Sequence, residues 1–517
     1  MDKECILWVD DEIDLLKPHI IFLEQKGYDV HTTNNGSDAL EMVRETPFDI
    51  VFLDEQMPGM SGIETLEKIK VEYPNLPVVM ITKSEEEAIM EEAIGSNISD
   101  YLIKPVNPHQ ILLSLKKNLE NKKLVSEKTI SQYQQAFSRL GMEISGGLDH
   151  SEWVNIYKRL VRWELELEKS NDEGIKEILA MQKLEANQVF AKFIERNYLE
   201  WINANSHDRP IFSHTLLKEK LFPILDKKRP VFFLLIDNLR YDQWKMIQPI
   251  IEEYYRVKSD EIYYSILPTT TQYARNALFS GLMPSEIQRK YPKYWINEQD
   301  EGTKNRFEKE LLGEYLKRYG KNIKFSYTKV VNLNIGRKLV DNLPNLMDND
   351  LNVVVYNFVD MLSHARTEME IIRELADDEA AYRSLTLSWF EHSPLKEMIE
   401  YIGEKKVDLV ITTDHGTVRV DSPVKVLGDR NTNTNLRYKT GKALQYKRKD
   451  VFEVSRPEEA FLPRMNISSS YIFCMKNDFF AYPNNYNYYV NYYRNTFQHG
   501  GISLEEVLIP HIYLQAK

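Results

Sequence analysis

The first 120 residues alternate short apolar runs with segments of helical spacing. The runs of strand length are CILWV (5–9), VHTT (30–33), DIVFL (49–53), VVMIT (78–82) and YLI (101–103). Between them, apolar residues recur every three or four positions, a spacing typical of amphipathic helices. This alternation predicts a five-stranded parallel sheet under helices, with a ligand site at the carboxyl ends of the strands.

Residues from about 108 to 205 have a helical pattern throughout, with few glycines or prolines. The pattern predicts a helical bundle that connects two domains. One apolar cluster fits either the bundle core or a dimer face, and we favour the core because apolar stripes are mostly buried within a chain. Its members are Trp153, Tyr157, Leu160, Val161 and Trp163. Ser151 is predicted to cap the helix that carries them.

A second α/β pattern occupies residues 206–517. Near-continuous apolar runs indicate strands buried on both faces, which predicts a mainly parallel sheet under helices. The runs are VFFLLI (231–236), NVVVYNFV (352–359), DLVITT (408–413) and VLIPHIYL (507–514). The chain therefore divides into three predicted domains, at 1–120, 121–205 and 206–517.

Composition narrows the class of protein. No apolar run reaches the roughly 18 residues of a membrane span, and the first residues lack a signal-peptide pattern. We therefore expect a cytoplasmic protein without membrane insertion. Cys5 and Cys474 are the only cysteines, which excludes a disulfide framework and a cysteine-rich metal site. Any metal must then be held by Asp, Glu and His.

Charge is distributed unevenly along the chain. Residues 1–120 carry 24 acidic and 10 basic residues, a net charge of −14, whereas the other 397 carry 54 acidic and 56 basic residues, a net charge of +2. This argues against nucleic-acid binding by the first domain. The helical segment shows neither a helix-turn-helix pattern nor a basic recognition stripe, so an ordinary transcription factor is disfavoured.

Polar side chains stand at the predicted carboxyl ends of four of the first five strands. They are Asp10, Asp11, Asp54, Thr82 and Lys104. Converging carboxylates repel one another and are best held together by a hard dication with oxygen ligands, here Mg²⁺. The lysine supplies a counter-charge for the oxygens of a transferred phosphoryl group.

The motifs WVDDE (8–12), LDEQMPGMSG (53–62), IT (81–82) and YLIKP (101–105) contain these residues. They resemble the receiver domain of response regulators, a flavodoxin-like fold. The resemblance implies that Asp54 accepts a phosphoryl group from a sensor histidine kinase and that the Lys104-Pro105 bond is cis. The implied Mg²⁺ ligands are Asp10, Asp11, Asp54 and Gln56, and the implied switch residues are Thr82, Tyr101 and Lys104.

Aspartates and histidines collect around three of the later apolar runs. They are Asp237, Asp360, Asp414, His364, His415 and His499. Each alone also fits a strand-end cap or a core histidine, but together they suit two metal sites. Mixed carboxylate and imidazole ligands favour Zn²⁺ or Mn²⁺, and two such ions stabilise both the attacking and the leaving oxygen of a displacement at phosphorus.

The segment PTTTQYARNALFSG (268–281) offers a nucleophile. Its hydroxyls follow a predicted strand and begin a predicted helix, where backbone N–H groups favour a phosphate. A threonine next to a metal ion needs no histidine or lysine base, because the ion lowers the pKa of the hydroxyl. On local sequence alone, a threonine-rich helix cap is the simpler interpretation.

Residues 206–517 resemble the alkaline phosphatase superfamily, in particular its PglZ type, and the full chain resembles PorX-type response regulators. Besides the threonine segment, the matching motifs are LLID (234–237), DMLSH (360–364), TDHG (413–416) and HGG (499–501). The resemblance makes Thr271 the nucleophile. It assigns one zinc ion to Asp237, Thr271, Asp414 and His415, and the other to Asp360, His364 and His499.

The resemblance also bears on the substrate. Threonine as nucleophile is typical of the phosphodiesterases of this superfamily, and no residue clearly matches the arginine that clamps a terminal phosphate, for which Arg240 and Arg275 are candidates. Residues 437–449 contain six basic and no acidic residues, and tyrosines crowd 471–493. These segments suit a single-stranded nucleic-acid groove, although a solvated loop and aromatic β packing explain them equally simply.

The leading hypothesis is a response regulator in which phosphorylation of Asp54 controls a zinc-dependent phosphodiesterase through dimerisation or access to Thr271. We expect a nucleotide or oligonucleotide phosphodiester as substrate and a phosphorylation-dependent homodimer. The resemblance implies regulation of type IX secretion, with secretion or transcription regulators as partners. The alternative is a non-catalytic scaffold whose phosphatase-like domain binds such a partner, and the complete set of ligands and nucleophile weighs against it.

Overall fold

The structure, a computed structural model, describes residues 3–74, 76–83, 98–170, 172–203, 209–227, 229–369, 378–429, 432–464 and 468–517. The chain forms two compact units, Met1–Gln134 and Gln135–Lys517. The helical segment from residue 135 onward thus belongs to the second unit, and its status as a separate domain stays a prediction. The predicted boundary at 205/206 lies outside the described residues. Within the described ranges, every helix is too short or too polar to cross a membrane.

A five-stranded parallel sheet with strand order β2-β1-β3-β4-β5 forms the centre of the first unit. Its strands are β1 (Cys5–Val9), β2 (Asp29–Thr33), β3 (Ile50–Asp54), β4 (Val78–Thr82) and β5 (Asp100–Ile103). Its described helices are α1 (Lys17–Gln25), α2 (Gly36–Glu45) and α3 (Gly62–Glu72), with a 3₁₀ turn at Ile13–Leu16. This flavodoxin-like order confirms the prediction and places a ligand site beyond the carboxyl ends of β1 and β3.

Both faces of this sheet are packed. Leu7 and Leu53 belong to the core on one face, whereas Trp8 and Phe52 belong to the core on the other. Strands covered on both faces need apolar residues at successive positions. This is why continuous apolar runs mark the interior strands β1, β3 and β4, whereas the edge strand β2 is mostly polar.

Three long helices follow the sheet of the first unit. They are α4 (Pro108–Ser145), α5 (His150–Glu168) and α6 (Glu173–Asn203), and the division between the two units falls within α4. The cluster assigned to the bundle core is buried, at 8% exposure or less. The core interpretation is therefore confirmed, and its members are Trp153, Tyr157, Leu160, Val161 and Trp163.

Asp149 caps α5, so the prediction of Ser151 was wrong. The Asp149 carboxylate accepts hydrogen bonds from the backbone N–H groups of Ser151 and Glu152, each at 2.8 Å. The Glu152 carboxylate in turn accepts one from the N–H of Asp149 at 2.8 Å. An acid three residues before a glutamate thus completes a reciprocal capping box, whereas Ser151 already lies within the helix.

The second unit contains a six-stranded sheet with strand order β7-β18-β10-β6-β9-β8. Strands β10, β6, β9 and β8 are parallel, whereas β18 and β7 are antiparallel to their neighbours. The prediction of a mainly parallel sheet is confirmed. The strands are β6 (Val231–Ile236), β7 (Tyr255–Tyr264), β8 (Phe325–Val330), β9 (Leu351–Tyr356), β10 (Asp408–Thr412) and β18 (Leu508–Ala516).

Three small sheets pair β11 with β17, β12 with β16, and β13-β15-β14. Their strands are β11 (Val418–Arg419), β12 (Ser422–Lys425), β13 (Tyr438–Lys442), β14 (Val451–Val454), β15 (Ser469–Cys474), β16 (Asp478–Ala481) and β17 (Phe497–Gln498).

The described helices of the second unit after α6 cover the large sheet and connect the small ones. They are α7 (Ser213–Leu216), α8 (Phe222–Leu225), α9 (Tyr241–Ile251), α10 (Asn276–Ser280), α11 (Pro284–Lys290), α12 (Glu308–Arg318), α13 (Leu333–Leu346), α14 (Phe358–Glu368), α15 (Glu379–Glu391), α16 (Pro394–Glu404), α17 (Tyr486–Tyr493) and α18 (Leu504–Val507). Short π-helical turns at Leu217–Leu221 and Thr271–Arg275 precede α8 and α10, and 3₁₀ turns lie at Arg448–Asp450 and Pro457–Ala460.

Two predicted segments differ from the structure. The apolar run at 352–359 is not one strand, because β9 ends at Tyr356 and α14 begins at Phe358, so that Asp360 lies in the first turn of a helix. A carboxylate is favoured there by the helix dipole. The basic stretch 437–449 is not a loop throughout, since β13 occupies part of it and Arg437 is buried against Glu506.

The tyrosine-rich segment 471–493 divides between regular elements. Tyr471 lies buried in β15, which fits the aromatic β packing considered for the segment, whereas α17 leaves Tyr488 65% exposed. The stacked rings along α17 repeat at one helical turn, as in the pair Tyr488 and Tyr492 at 6.2 Å. Aromatic β packing therefore accounts for only the first part of the segment.

Candidate functional site

The first candidate site lies at the carboxyl ends of β1 and β3. Carboxylate oxygens of Asp10, Asp11 and Asp54 lie within 4.8 Å of one another. The Lys104 ammonium is 2.9 Å from Asp10 and 3.0 Å from Asp54. Burial raises the pKa of the Asp54 carboxyl to about 6, and Lys104 partly offsets that effect. This crowded acidic site suits a hard dication and a phosphoryl group.

The other predicted receiver residues surround the Asp54 site. The Thr82 hydroxyl, at the end of β4, donates to the Glu55 carboxylate at 3.0 Å. Tyr101 on β5 is 43% exposed, and Gln56 is also exposed. The expected cis bond between Lys104 and Pro105 is present. The switch roles and the Mg²⁺ contact of Gln56 stay predictions.

The second candidate site lies at the carboxyl ends of two adjacent parallel strands of the large sheet. Asp237 directly follows β6, and Asp414 and His415 follow β10. Because parallel strands present their carboxyl ends at one edge, these residues converge. Thr271 is the first residue of the π-helical turn Thr271–Arg275, and this turn fixes the backbone that carries its hydroxyl.

Asp237, Asp414 and His415 form the first group of potential metal ligands. One ligand atom from each lies within 4.8 Å of the others, and all three residues are fully buried. The Nε2 atom of His415 is 3.7 Å from Oδ1 of Asp237 and 3.7 Å from Oδ2 of Asp414. The Thr271 hydroxyl lies 3.1 Å from the same Nε2 atom.

A second group consists of Asp360, His415 and His499. Nε2 of His499 lies 3.5 Å from Oδ1 of Asp360, and the His415 and His499 rings stack at 4.3 Å between centroids. Burial lowers the pKa of the His499 imidazole well below its ordinary value, with the nearby His415 and His364 adding to the effect. His499 is therefore neutral at pH 7, the form that binds metals.

The structure brings together most, but not all, of the predicted zinc ligands. Five form the two groups, and Thr271 contacts His415. His415 belongs to both groups rather than to one. His364 stands apart from them, with a side chain 57% exposed and its Nε2 atom 3.6 Å from Oδ2 of Asp360. Its ring centroid is 5.8 Å from that of His499, so it lies at the rim of the second group.

These residues fit a pair of metal ions. Ligand atoms 3.5–3.7 Å apart approach the edge of a tetrahedron around an ion with bonds of about 2.1 Å. Oδ1 of Asp237 is buried and accepts no hydrogen bond from any described residue. Burial raises the pKa of the Asp237 carboxyl well above its ordinary value, with the nearby Asp414 adding to the rise. A cation bound next to Asp237 would offset the free-energy cost of burying its charged carboxylate.

Arg275 lies behind the first ligand group. Its guanidinium is fully buried, contacts Asp237, and lies 2.9 Å from Asp414 and 3.6 Å from Glu308. Burial acts to raise the pKa of Asp414, but Arg275 outweighs it, so this pKa lies below its ordinary value. Arg275 therefore holds carboxylates in place, rather than standing free as the phosphate clamp for which it was a candidate.

Arg240, the other clamp candidate, is engaged elsewhere. Its Nε donates to Asp242 at 3.0 Å, and it also pairs with Glu379 at 2.6 Å. The guanidinium lies over the stacked rings of Tyr382 and Phe497, at 5.7 and 5.5 Å from their centroids. Arg240 is thus part of a buried ion cluster.

Asn238 was missed in the sequence. Its amide donates to Asp360 at 3.4 Å and to the Ser363 hydroxyl at 3.2 Å, which links the end of β6 to α14. Its φ of 65° is in the left-handed region, which asparagine tolerates better than most residues. An asparagine directly after the strand-end Asp237 was the signal that was available.

Arg275→Met is expected to lower the free energy of unfolding of the chelator-treated protein by about 3–5 kcal/mol, because it leaves buried carboxylates without a counter-charge. Added Zn²⁺ is expected to restore part of the loss. Urea denaturation of the full chain followed by tryptophan fluorescence measures both effects. Arg162→Met is the control, since its pair with Glu166 is largely exposed and contributes about 1 kcal/mol or less. Equal losses in the two variants would contradict the assigned role of Arg275.

Three family models match the chain. They are the response regulator receiver domain at residues 6–116, the PorX response regulator linker domain at 123–202, and the BREX system PglZ alkaline phosphatase-like domain at 216–514. Together with the two sites, these matches define a response regulator that carries an alkaline phosphatase-like output domain. The chain belongs to the PorX-type response regulators, whose output domain is of the PglZ family.

Curated relatives match a smaller part of the chain. The transcriptional regulatory protein ZraR of Klebsiella oxytoca is 40% identical over 127 residues, 25% of this chain and 28% of that protein. The transcriptional regulatory protein SrrA of Staphylococcus aureus (strain NCTC 8325 / PS 47) is 32% identical over 111 residues, 22% of this chain and 46% of that protein. The chain thus spans about a quarter to a half of these relatives' length.

Solved structures of receiver domains are also similar to part of the chain. The CheY-like receiver domain protein from Methanospirillum hungatei JF-1 is 28% identical, covers 23% of this chain and 96% of that one, and has a TM-score of 0.23. The receiver domain of NtrX from Brucella abortus is 31% identical and covers 22% of this chain and 98% of that one, with a TM-score of 0.22.

Proposed function

We propose that the protein is a response regulator whose carboxyl-terminal domain is a zinc-dependent phosphodiesterase with Thr271 as nucleophile. The observation that carries this proposal is the position of the Thr271 hydroxyl. It lies 3.1 Å from His415, which is shared by the two groups of potential metal ligands. A hydroxyl beside two adjacent cation sites is the arrangement needed for displacement at phosphorus.

The residues of the chain have separable roles in this reaction. Asp237, Thr271, Asp414 and His415 would hold one zinc ion, and Asp360, His364 and His499 the other. When bound, these ions supply Lewis acidity that lowers the pKa of the Thr271 hydroxyl and neutralises charge on the phosphoryl oxygens. Thr271 Oγ1 would attack phosphorus and form a new P–O bond while the P–O bond to one ester group breaks. That group leaves as an alcohol after taking up a proton, and water then releases the phosphomonoester and restores Thr271. The Asn305 amide donates to the Thr271 carbonyl at 2.8 Å and so orients the nucleophile.

Two observations favour a diester over a monoester. Both arginines considered as clamps for a terminal phosphate, Arg240 and Arg275, are engaged by carboxylates. A cavity of about 530 Å³ has Gln272, the residue after Thr271, in its lining. The lining consists of amides and hydroxyls, with Glu298 as the one charged residue among the described lining residues. The cavity therefore suits a neutral group with hydrogen-bonding edges, such as a nucleobase, better than a second phosphate. Its other lining residues are Gln299, Thr432, Asn433, Thr434, Asn435 and Tyr438.

The regulatory part of the proposal rests on the receiver site. A sensor histidine kinase phosphorylates Asp54 in the presence of Mg²⁺, Tyr101 and Thr82 rearrange, and the change biases homodimerisation or access to Thr271. Membership of the PorX-type regulators supports a cytoplasmic role in the control of type IX secretion, with secretion or transcription regulators as partners. The substrate is a nucleotide or oligonucleotide phosphodiester.

The test compares purified protein before and after zinc loading with bis-p-nitrophenyl phosphate and p-nitrophenyl phosphate as substrates. We expect about two zinc ions per chain by elemental analysis, hydrolysis of the diester in preference to the monoester, and loss of activity with a chelator. If the well-folded, zinc-loaded protein cleaves neither these esters nor short oligonucleotides, the proposed phosphodiesterase activity is contradicted. That result would favour a non-catalytic scaffold that binds a regulator.

A further inference from the structure

Helix α6 contacts the phosphoester site through one face. Asn187 and Tyr198 are eleven residues apart in α6, which is about three turns or 16 Å, so both side chains point the same way. Phe190, Ala191 and Ile194 lie between them on this face and are also buried. The face is therefore packed within the second unit, and it presents two polar groups at its ends.

Asn187 contacts the segment that carries His499, which we call the histidine loop (residues 499–505). The Asn187 amide donates to the Glu505 carboxylate at 3.0 Å, and its oxygen accepts the backbone N–H of Leu504 at 2.6 Å. Both groups of the amide are thus used. Asn187 is 2% exposed, so these bonds are shielded from water.

Tyr198 contacts the segment that carries the nucleophile, which we call the threonine loop (residues 267–271). The backbone N–H of Leu267 donates to the Tyr198 hydroxyl at 2.9 Å. Tyr198 is 2% exposed, so loss of its hydroxyl would leave a buried N–H without a partner. A single helix outside the catalytic sheet thus fixes the start of one loop and the end of the other.

The two loops are also bonded to each other. The Thr269 hydroxyl donates to the carbonyl of Gly501 at 2.9 Å and accepts the N–H of Gly500 at 3.0 Å. Nδ1 of His499 lies 3.3 Å from the carbonyl of Thr269. These bonds join the two loops next to His499.

The histidine loop also determines where His415 lies. A Cβ added at Gly416 would come within 2.0 Å of the carbonyl oxygen of Glu505. This close approach means that the backbone of Gly416, next to His415, packs against Glu505, whose carboxylate accepts the hydrogen bond from Asn187. A shift of Glu505 would displace both histidines that stack in the second ligand group.

We infer that Asn187 and Tyr198 are positioning residues for the phosphoester site, and that α6 fixes the loops that carry its histidine ligand and its nucleophile. This inference rests on the proposed function for its activity and zinc measurements, whereas the hydrogen-exchange measurement is independent of it. Asn187 acts on the metal ligands through the histidine loop, and Tyr198 acts on the nucleophile through the threonine loop. The two residues should therefore give different defects when changed.

The experiment uses the full chain with Asn187→Ala and Tyr198→Phe. Asn187→Ala is expected to weaken zinc retention against a chelator by about 10–100-fold and to speed hydrogen exchange in residues 499–506. Tyr198→Phe is expected to leave zinc retention unchanged, to speed exchange in residues 267–273, and to lower kcat about tenfold at constant KM. Each variant is followed by exchange mass spectrometry, chelator competition and diester kinetics.

Matched controls remove comparable buried groups elsewhere in the second unit. Gln182→Ala removes a buried amide of α6 that donates at 3.0 Å to the carbonyl of Phe137. Tyr255→Phe removes a buried hydroxyl that donates at 3.3 Å to the carbonyl of Val407, at the opposite end of β7 from the threonine loop. Neither control should change zinc retention or loop exchange. The double variant Asn187→Asp/Glu505→Gln exchanges donor and acceptor, and it should recover most of the zinc retention lost in Asn187→Ala.

If Asn187→Ala and Gln182→Ala behave alike in exchange and zinc retention, the role of Asn187 is overturned. If Tyr198→Phe matches Tyr255→Phe in loop exchange, the role of Tyr198 is overturned. A wild-type protein that cleaves no phosphoester would contradict the proposed function alone, because exchange in the two loops still decides whether α6 positions them.

Discussion

Thr271→Ala is expected to lower kcat for the diester at least about 1,000-fold while the protein keeps its fold and most of its zinc. The substitution removes the only atom assigned to attack phosphorus. It leaves the five carboxylate and imidazole ligands of the two groups in place. Diester kinetics and zinc analysis on the same preparation separate a lost nucleophile from a lost metal site.

Thr271→Ser is the matched variant for this test. It keeps the hydroxyl 3.1 Å from His415 and removes only a methyl group, so we expect it to retain substantial activity. An alanine variant with more than a tenth of the wild-type kcat would show that another nucleophile, such as bound water, acts in place of Thr271. A serine variant as inactive as alanine would indicate that the loop, rather than the hydroxyl, had been disturbed.

Asp54→Asn is expected to abolish phosphorylation by acetyl phosphate in the presence of Mg²⁺. The acceptor oxygen is replaced, whereas the neighbouring charges of Asp10, Asp11 and Lys104 remain. Intact-protein mass spectrometry should show one added phosphoryl group on wild type and none on the variant. If diester hydrolysis depends on phosphorylation, the rate of the variant should also stop responding to acetyl phosphate.

Asp49→Asn is the control, because Asp49 directly precedes β3 whereas Asp54 ends it. The Asp49 carboxylate accepts the backbone N–H of Cys5 at 2.8 Å, just before β3, so its loss should not affect phosphorylation. Phosphorylation that persists in Asp54→Asn at the wild-type level would place the acceptor on another residue. Loss of phosphorylation in both variants would point to a damaged fold rather than to the acceptor.

The receiver fold was predictable because local sequence and tertiary position coincide there. Most strands are short apolar runs, and Asp10, Asp54, Thr82 and Lys104 stand at or next to the ends of strands. Parallel strands bring these ends to one edge, so spacing along the chain translates directly into proximity. The five strands followed from local sequence, whereas their order in the sheet was implied only by the resemblance to receiver domains.

The two groups of potential metal ligands were predictable only in part. Asp237, Asp414 and His415 follow strands and converge for the same reason as the receiver residues. His499 and Asp360 reach the site from a loop and a helix, and the sharing of His415 between the two groups depends on a ring stack at 4.3 Å. No local pattern encodes that contact, since 84 residues separate His415 from His499.

Residues that hold the site rather than form it were the hardest to identify. Arginine commonly binds phosphate, but the guanidinium of Arg275 contacts the buried carboxylates of Asp237 and Asp414 instead. Asn187 lies in a helix whose sequence suggests only a connector, and its partner Glu505 is 318 residues away. These residues provide partners for buried polar groups. Which polar groups become buried depends on the packing of the whole domain.

The position of β18 affects how the second unit folds during its synthesis. This strand, residues 508–516, lies between β7 and β10 in the interior of the large sheet. Its neighbours are synthesised about 100 and 250 residues earlier, so the sheet stays split into two unpaired edges until the ribosome has delivered the last of these residues. The sheet that carries the candidate site is therefore completed late, and until then a nascent chain exposes strand edges that are open to wrong pairing.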